Sequence, residues 1–334
     1  LSIRRQRQMC IRDSSKTSVS RYLNEQDRGH MSDETKERIK DAIEQLNYAP
    51  NNAARSLKGK ASKVIGLVIN DLANPFFLQM IQGIETELRD SGYNILMCDS
   101  NLDINREIEC LRMLEQRRID GILIVGVNLP VQHLTDLNIR VPVVLLERDS
   151  GDSRFDSVKI DNYSGAYAAV DYLIEKGYEG IAHIRGNQAS MMAVQRKEAY
   201  QAALREHGYE PVKEYEVDGH YTLEGGYSAM ERLMQLKEPP RAVFCANDMS
   251  AIGALRYLSQ NGYKVPQDMA LVGYDDITVA SLVTPALTTV RQPVMELAKI
   301  GTQILLERME MKEGDTYSPK SVVLKSELLV RDST

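Results

Sequence analysis

Two doubly wound α/β lobes behind a small all-helical head are the fold class that this 334-residue sequence predicts. From residue 62 onward, short apolar runs alternate with amphipathic helical stretches, the pattern of parallel strands joined by helical crossovers. Seven or more such units follow one another before the end of the chain, which suggests two sheets rather than one. The charge is also unevenly spread. Residues 1–60 hold 13 Lys+Arg against 8 Asp+Glu, while the whole chain carries a net charge of −6. A basic head on an acidic body assigns contact with a polyanion to the head alone. Part of that excess comes from Arg4, Arg5, Arg7 and Arg12, so charge by itself does not decide the matter.

The head reads as short helices. In SKTSVSRYLNEQ (15–26), Val19, Tyr22 and Leu23 fall at i, i+3 and i+4 and form one apolar stripe. Lys16, Thr17, Ser20 and Arg21 then project elsewhere, as short donors and long cations suited to the edges and phosphates of a DNA groove. A solvated polar face on a small helix would look the same over these residues. In MSDETKERIKDAIEQLNY (31–48), Ser32 or Asp33 can cap a helix carrying Ile39, Ala42, Ile43 and Leu46 on one face. Pro50 ends it, and NNAARSLKG (51–59) follows as a helix-capable linker with a basic end.

In the body, KVIGLVI, YNILMC, GILIV, PVVLLE, GIAHI, RAVFCA and MALVG are the strand candidates. Stretches such as QMIQGIETELRDSG and SAIGALRYLSQNG are the crossover helices. In doubly wound sheets, ligands bind beyond the carboxyl ends of the strands. Those places read NDLANPFF, ERD, RGN, ANDMS and YDD. Carboxylates and guanidinium groups bind vicinal hydroxyls, and a Phe face stacks on the C–H side of a sugar ring. Any one Asp or Asn is an ordinary turn residue, but five such sites together point to a cleft for a polar small molecule.

Catalytic constellations are missing: there is no GxSxG, HExxH or GxxxxGK[ST], and no GxGxxG follows a strand. No cofactor or metal is expected. The five histidines (30, 133, 183, 207, 220) lack ligand spacing, and Cys10, Cys98, Cys110 and Cys245 form no CxxC, as expected of reduced thiols. With no long apolar run and no signal-peptide hydrophobic region, a cytoplasmic protein is expected.

In order along the chain, SKTSVSRYLN, NYAPNNAARSLKG, NPFF, ANDMSAIGALR, VGYDD and LTTVRQP resemble the lac repressor/galactose repressor family of bacterial transcription regulators. The resemblance runs from about residue 15 to the C-terminus. It implies a helix-turn-helix head over 15–49, a hinge helix and linker over 50–61, and a periplasmic-binding-protein-like body over 62–334. The first lobe is expected over about 62–161 and 292–320, the second over about 162–290 and 321–332. Three crossovers would join them, the last near Arg291–Pro293.

Carried over by motif, the DNA-binding residues are Lys16, Thr17, Ser20, Arg21 and Asn24 in the head. Asn52, Ala54, Leu57 and Lys58 follow in the hinge, where Leu57 would wedge a minor-groove base step. The sugar-contacting positions match Asn74, Phe76, Phe77, Glu147, Arg148, Arg196, Tyr221, Asn247, Asp275 and Gln292. The pattern is similar to ribose-type sites through NPFF, the Glu147–Arg148 pair, and Asn247 with Asp275. Glu147 stands where the family has Asp, which leaves the exact sugar open, and His220 can take the place of Tyr221. LSIRRQRQMCIRDS departs from the family's apolar first helix, so residues 1–14 are expected to be non-native and to weaken the head.

The resemblance implies a homodimeric repressor in the cytoplasm. Its two heads would read a near-palindromic double-stranded operator, and a pentose or hexose between the lobes would control them. The rivals are a sugar-binding protein that serves a transporter and an enzyme on a doubly wound fold. The helical head opposes the first, and the missing catalytic set opposes the second.

Overall fold

The computed structural model describes residues 19, 22, 31–45, 61–101, 103–126, 131–137, 139–148, 154–188, 190–312 and 314–334. The chain divides at 62/63 into two units.

In the first unit, helix α1 (Asp33–Gln45) starts where the sequence places a cap. Ser32 Oγ accepts from the Thr35 amide at 3.4 Å, and the Ser32 carbonyl accepts from Lys36 at 3.1 Å. Asp33 and Glu34 in the first turn complement the positive end of the helix dipole. Ile39 and Val19 are buried together, with Tyr22, Met31 and Ile43 packed around them. Val19 and Tyr22 are both helical, so the spacing of three read from the sequence puts both on the core face. Leu23, Leu46 and residues 1–14 lie outside the described residues. So do the DNA-reading candidates Lys16, Thr17, Ser20, Arg21, Asn24, Asn52, Ala54, Leu57 and Lys58.

The second unit begins with β1 (Val64–Ile69), α2 (Pro75–Arg89), β2 (Asn94–Asp99), α3 (Ile104–Gln116), β3 (Gly121–Val125), α4 (Val131–Asp136), β4 (Val143–Leu146) and β5 (Asp156–Ile160). VIGLVI, GILIV and VVLL are almost uninterrupted apolar runs because helices cover both faces of a parallel sheet. The second lobe follows with α5 (Asn162–Glu175), β6 (Ile181–Arg185), α6 (Met191–Glu206), β7 (Glu216–Asp218), α7 (Leu223–Met234), β8 (Ala242–Cys245), α8 (Asp248–Gln260), β9 (Ala270–Asp275) and β10 (Thr288–Arg291). The chain then returns through α9 (Val294–Glu310) and β11 (Ser321–Leu324) before ending near β12 (Glu327–Leu329). The sheet orders are β11-β5-β4-β3-β1-β2 and β12-β10-β9-β8-β6-β7, parallel except for β10 with β12.

All seven strand candidates are strands. Those passed over are short or polar, and β5 (DSVKI) shows why. Its buried Asp156 accepts from Tyr317 Oη at 2.5 Å and from the Lys320 amide at 2.8 Å. Ser157 Oγ donates to Ser321 Oγ at 3.2 Å. Partners more than 160 residues away satisfy this strand, so its own sequence carries no apolar signature.

The lobe boundaries expected at the C-terminal end need correction. Residues 321–324 are not part of the second lobe; β11 pairs in parallel with β5 in the first sheet. The passage at Gln292–Pro293 is therefore the second of three, after the one at Asp161, and the last lies at Lys325–Ser326. The cause is the packing of α9. A Cβ on Gly83 of α2 would sit 2.7 Å from Ala298 Cβ, so α9 lies close against the first lobe and delivers the next strand to that sheet. Among the described residues, no helix is long and apolar enough to cross a membrane.

Candidate functional site

The carboxyl ends of both sets of strands open onto one cleft of about 560 Å³. Asn70 follows β1, Glu147 follows β4, Asn187 lies just beyond β6, Asn247 follows β8, Asp275 ends β9 and Gln292 follows β10. Helix starts supply the rest. Asn74 caps α2, accepting from the Phe76 amide at 3.0 Å, with Pro75 in the first turn. That cap holds Phe76 and Phe77 in the wall of the cleft, edge to face at 5.3 Å between centroids. Asn247 caps α8 in the same way, accepting from Ser250, and its Nδ2 donates to the Tyr221 carbonyl at 2.9 Å.

The electrostatic centre is Arg196 on α6, which is buried. Its Nε and Nη2 donate to Asn162 Oδ1 at 2.9 and 2.7 Å, and Nη1 donates to the Ala246 carbonyl at 2.5 Å. The guanidinium lies 3.6 Å above the Tyr274 ring, and Nη1 stands 3.9 Å from Asp275 Oδ1. Burial raises the Asp275 carboxyl to about 6, against the pull of Arg196 and of hydrogen bonds from Gln292 and Asn74. Burial likewise raises Glu147 to about 7, again opposed by Arg196. Asp248, next to Asn247, is not in the cleft wall. It accepts from the Ile277 amide at 2.8 Å and from Thr289 Oγ1 at 2.5 Å, tying α8 to β10.

Backbone strain gathers here. Glu147, Tyr221 and Asp275 hold φ of +56°, +63° and +119°, conformations that cost a residue with a side chain about 1–3 kcal/mol each. The Tyr221 ring lies across Gly186, where a Cβ would sit 2.0 Å from Tyr221 Cζ. Three buried acceptors in the wall, Asn70 Oδ1, Glu147 Oε2 and Gln292 Oε1, find no donor among the described residues.

Of the sequence-derived candidates, Asn74, Phe76, Phe77, Glu147, Arg196, Tyr221, Asn247, Asp275 and Gln292 line this cleft. Arg148 does not. It is half-buried outside the lining, with buried Glu107 of α3 as its charged neighbour. The chain leaves β4 at Leu146 and turns at Glu147, whose φ is +56°, and Arg148 lies on the far side of that turn from the lining. His220 is exposed, so Tyr221 is the residue that enters. Asn70, Asp71, Asn187, Ser190 and Met192 complete the lining and were not singled out from the sequence. Asn70 and Asn187 lie within the strand-end stretches NDLANPFF and RGN, and Met192 lies one helical turn before Arg196. Among the described residues, no group of three His, Cys, Asp or Glu side chains could hold a metal ion.

A sequence model of the lacI family of bacterial regulatory proteins matches residues 14–51, and a periplasmic binding protein-like domain matches residues 170–334. A probable HTH-type transcriptional repressor, ExuR of Bacillus subtilis (strain 168), is 36% identical over 331 residues, covering 96% of this chain and 94% of that protein. The structure of a transcriptional regulator CelR–cellobiose complex is 31% identical, covers 96% of this chain and 97% of its own, and has a TM-score of 0.74. The lac repressor dimer bound to operator and the anti-inducer ONPF is 25% identical, covers 96% of each chain and has a TM-score of 0.85. These relatives are regulators, not enzymes.

Proposed function

The chain belongs to the lacI family of bacterial regulatory proteins, and from that membership we propose that its DNA-binding head answers to an uncharged monosaccharide in the cleft. It is a DNA-binding transcription regulator with a ligand-binding body, not a transporter's receptor. In this reading it is a cytoplasmic homodimeric repressor whose two heads engage the half-sites of a near-palindromic operator.

The three buried acceptors without donors carry the choice of ligand. Desolvated acceptors at a fixed spacing are costly when empty, and a polyol supplies several O–H donors to them at once. The charge balance supports a neutral ligand. Among the described residues Arg196 is the one cation in the lining, and Asn162, Ala246 and Asp275 already engage it, while Asp71, Glu147 and Asp275 are all acidic. An acidic sugar would bring a further negative charge to a wall where, among the described residues, the buried donors left open are the neutral hydroxyls of Ser190 and Tyr221, with no second cation. NPFF, Glu147, and Asn247 with Asp275 favour a ribose-type preference within this class; Arg148 lies outside the lining.

Sugar binding between the lobes changes their relative orientation and biases the hinge, and by reciprocity DNA changes sugar affinity by the same factor. The test is a thermal-shift screen of neutral aldopentoses and aldohexoses beside uronic acids. A ligand at 100 times its Kd adds about 2.7 kcal/mol of stability. A neutral sugar should raise Tm and lose that effect in Asp275→Asn. Stabilisation by uronic acids alone would overturn the reading.

A further inference from the structure

The cleft carboxylate of Asp275 sits in a turn that its own sequence does not favour. Asp275 and Asp276, at the end of β9, hold φ of +119° and +58° in succession, where glycine alone is free of steric cost. Asp275 lines the cleft, whereas Asp276 lies outside the lining and is largely buried elsewhere. The contacts of this second acid show how the turn is kept.

Two guanidinium groups grip Asp276. Arg291 Nε donates to its Oδ2 at 2.7 Å, and Arg331 Nη2 donates to its Oδ1 at 2.5 Å. The Arg291 side chain is 52% exposed, so solvent screens its pair, but Arg331 is only 19% exposed. Arg331 is also fixed at other points. Its Nη1 donates to the Leu287 carbonyl at 2.8 Å, and its amide donates to Thr288 Oγ1 at 2.9 Å. Two residues on, buried Ser333 Oγ accepts from the Thr288 amide at 2.8 Å and donates to the Leu271 carbonyl at 2.6 Å. Residues 331–333 thus tie the start of β10 to β9, and from that base Arg331 holds the turn.

Relaxation of the turn towards ordinary backbone would swing Asp275 out of line with Gln292 and Arg196, its partners in the cleft. A binding group is effective only when neighbours outside the site lock its position. We infer that Arg331, acting through Asp276, is a positioning residue for ligand binding: it holds the left-handed turn that aims the Asp275 carboxylate into the cleft. Arg331 itself lies outside the lining. The inference rests on the reading of the cleft as the sugar site.

The test is calorimetric titration of the full chain with D-ribose. Arg331→Met should weaken binding at least tenfold in protein that is still folded. Arg331→Lys, which keeps a charge for Asp276, should return to within threefold of the parent. In an Asp275→Ala background, adding Arg331→Met should change affinity less than twofold, because no carboxylate is left to aim. An ion pair that only stabilises the fold would lower Tm in both backgrounds and leave the affinity of folded protein alone. If Arg331→Met does not fold, Asp276→Asn takes its place, since Asn tolerates left-handed backbone and loses only the charge. A ligand-free arm separates this inference from the sugar assignment. By carbon-13 NMR, the Asp275 carboxyl, raised by burial to about 6 in the parent, should titrate nearer its ordinary value of 3.8 once the turn opens it to water. Failure of D-ribose to bind the parent would overturn the ribose-type preference and not the positioning role, which the carboxyl titration then decides. Unchanged affinity in folded Arg331→Met, an equal loss in both backgrounds, or an unmoved Asp275 titration would each overturn the inference.

Discussion

Gln292 Nε2 donates to Asp275 Oδ1 at 2.6 Å, so a residue on the second passage between the lobes holds the carboxylate that ends β9. A ligand hydroxyl that bonds Asp275 therefore acts on a group already tied to the connection between lobes. This contact is one direct physical route from occupancy of the cleft to a connection between the lobes.

Replacing Asp275 by Asn tests that group with little disturbance, because an amide oxygen can still accept from Gln292. Losing the charged acceptor should reduce sugar affinity by about 1.5–3 kcal/mol, roughly tenfold to more than a hundredfold. Arg196 keeps Asn162 and Ala246, so the variant should stay folded. Calorimetry on the folded protein checks both halves of this expectation.

Glu147 predicts a pH dependence. Its carboxyl sits at about 7 in the fold against an ordinary value of 4.5, because burial disfavours the charge. The folded state thus holds a proton more tightly than the unfolded chain. This contribution to stability is full below about pH 4.5 and is lost as pH rises towards about 7, on the order of 3 kcal/mol. Glu147→Gln should flatten that part of the Tm–pH curve. A sugar hydroxyl donating to Glu147 favours the ionised form, so binding near pH 6.5 should release protons, measurable in buffers of different ionisation enthalpy.

Gly186→Ala should drive the Tyr221 ring from its place, since a Cβ would sit 2.0 to 2.5 Å from three ring atoms. Overpacking of this kind costs about 1–3 kcal/mol. Sugar affinity should fall as it does in Tyr221→Ala, and combining the two changes should add little. Full additivity in that double-mutant cycle would mean that Gly186 acts elsewhere.

In the head, Ile39→Ala removes the side chain packed on Val19, at a cost of about 2–5 kcal/mol to a small core. Operator affinity should collapse while sugar affinity of the body stays at its parent value. Fluorescence anisotropy on labelled operator and sugar calorimetry read the two effects separately.

The legible parts of this molecule were those whose signal is local. The apolar runs gave seven strands, the stretches at their ends hold six of the candidates that line the cleft wall, and the family resemblance supplied Arg196, Tyr221 and Gln292. Asn74 and Asn247 were readable as strand-end residues, and the structure shows that each also caps the helix that follows. What stayed hidden depends on distant partners. The polar strand β5 owes its satisfaction to Tyr317, Lys320 and Ser321, and the place of β11 follows from α9 packing at Gly83. Arg148, carried over with Glu147 by motif, lies outside the lining, because adjacency in sequence says nothing about which face a side chain takes. The choice between His220 and Tyr221 rested on backbone left-handed at both positions, which no spacing reveals.

The most direct measurement of the central claim is operator affinity by fluorescence anisotropy at fixed salt, with and without a sugar that binds the cleft. The parent chain should show an operator Kd that shifts with sugar, saturating at the sugar's own calorimetric Kd once the reciprocal coupling is included. Asp275→Asn should need at least tenfold more sugar for the same shift. An operator Kd that stays constant while a sugar demonstrably fills the cleft would contradict the account.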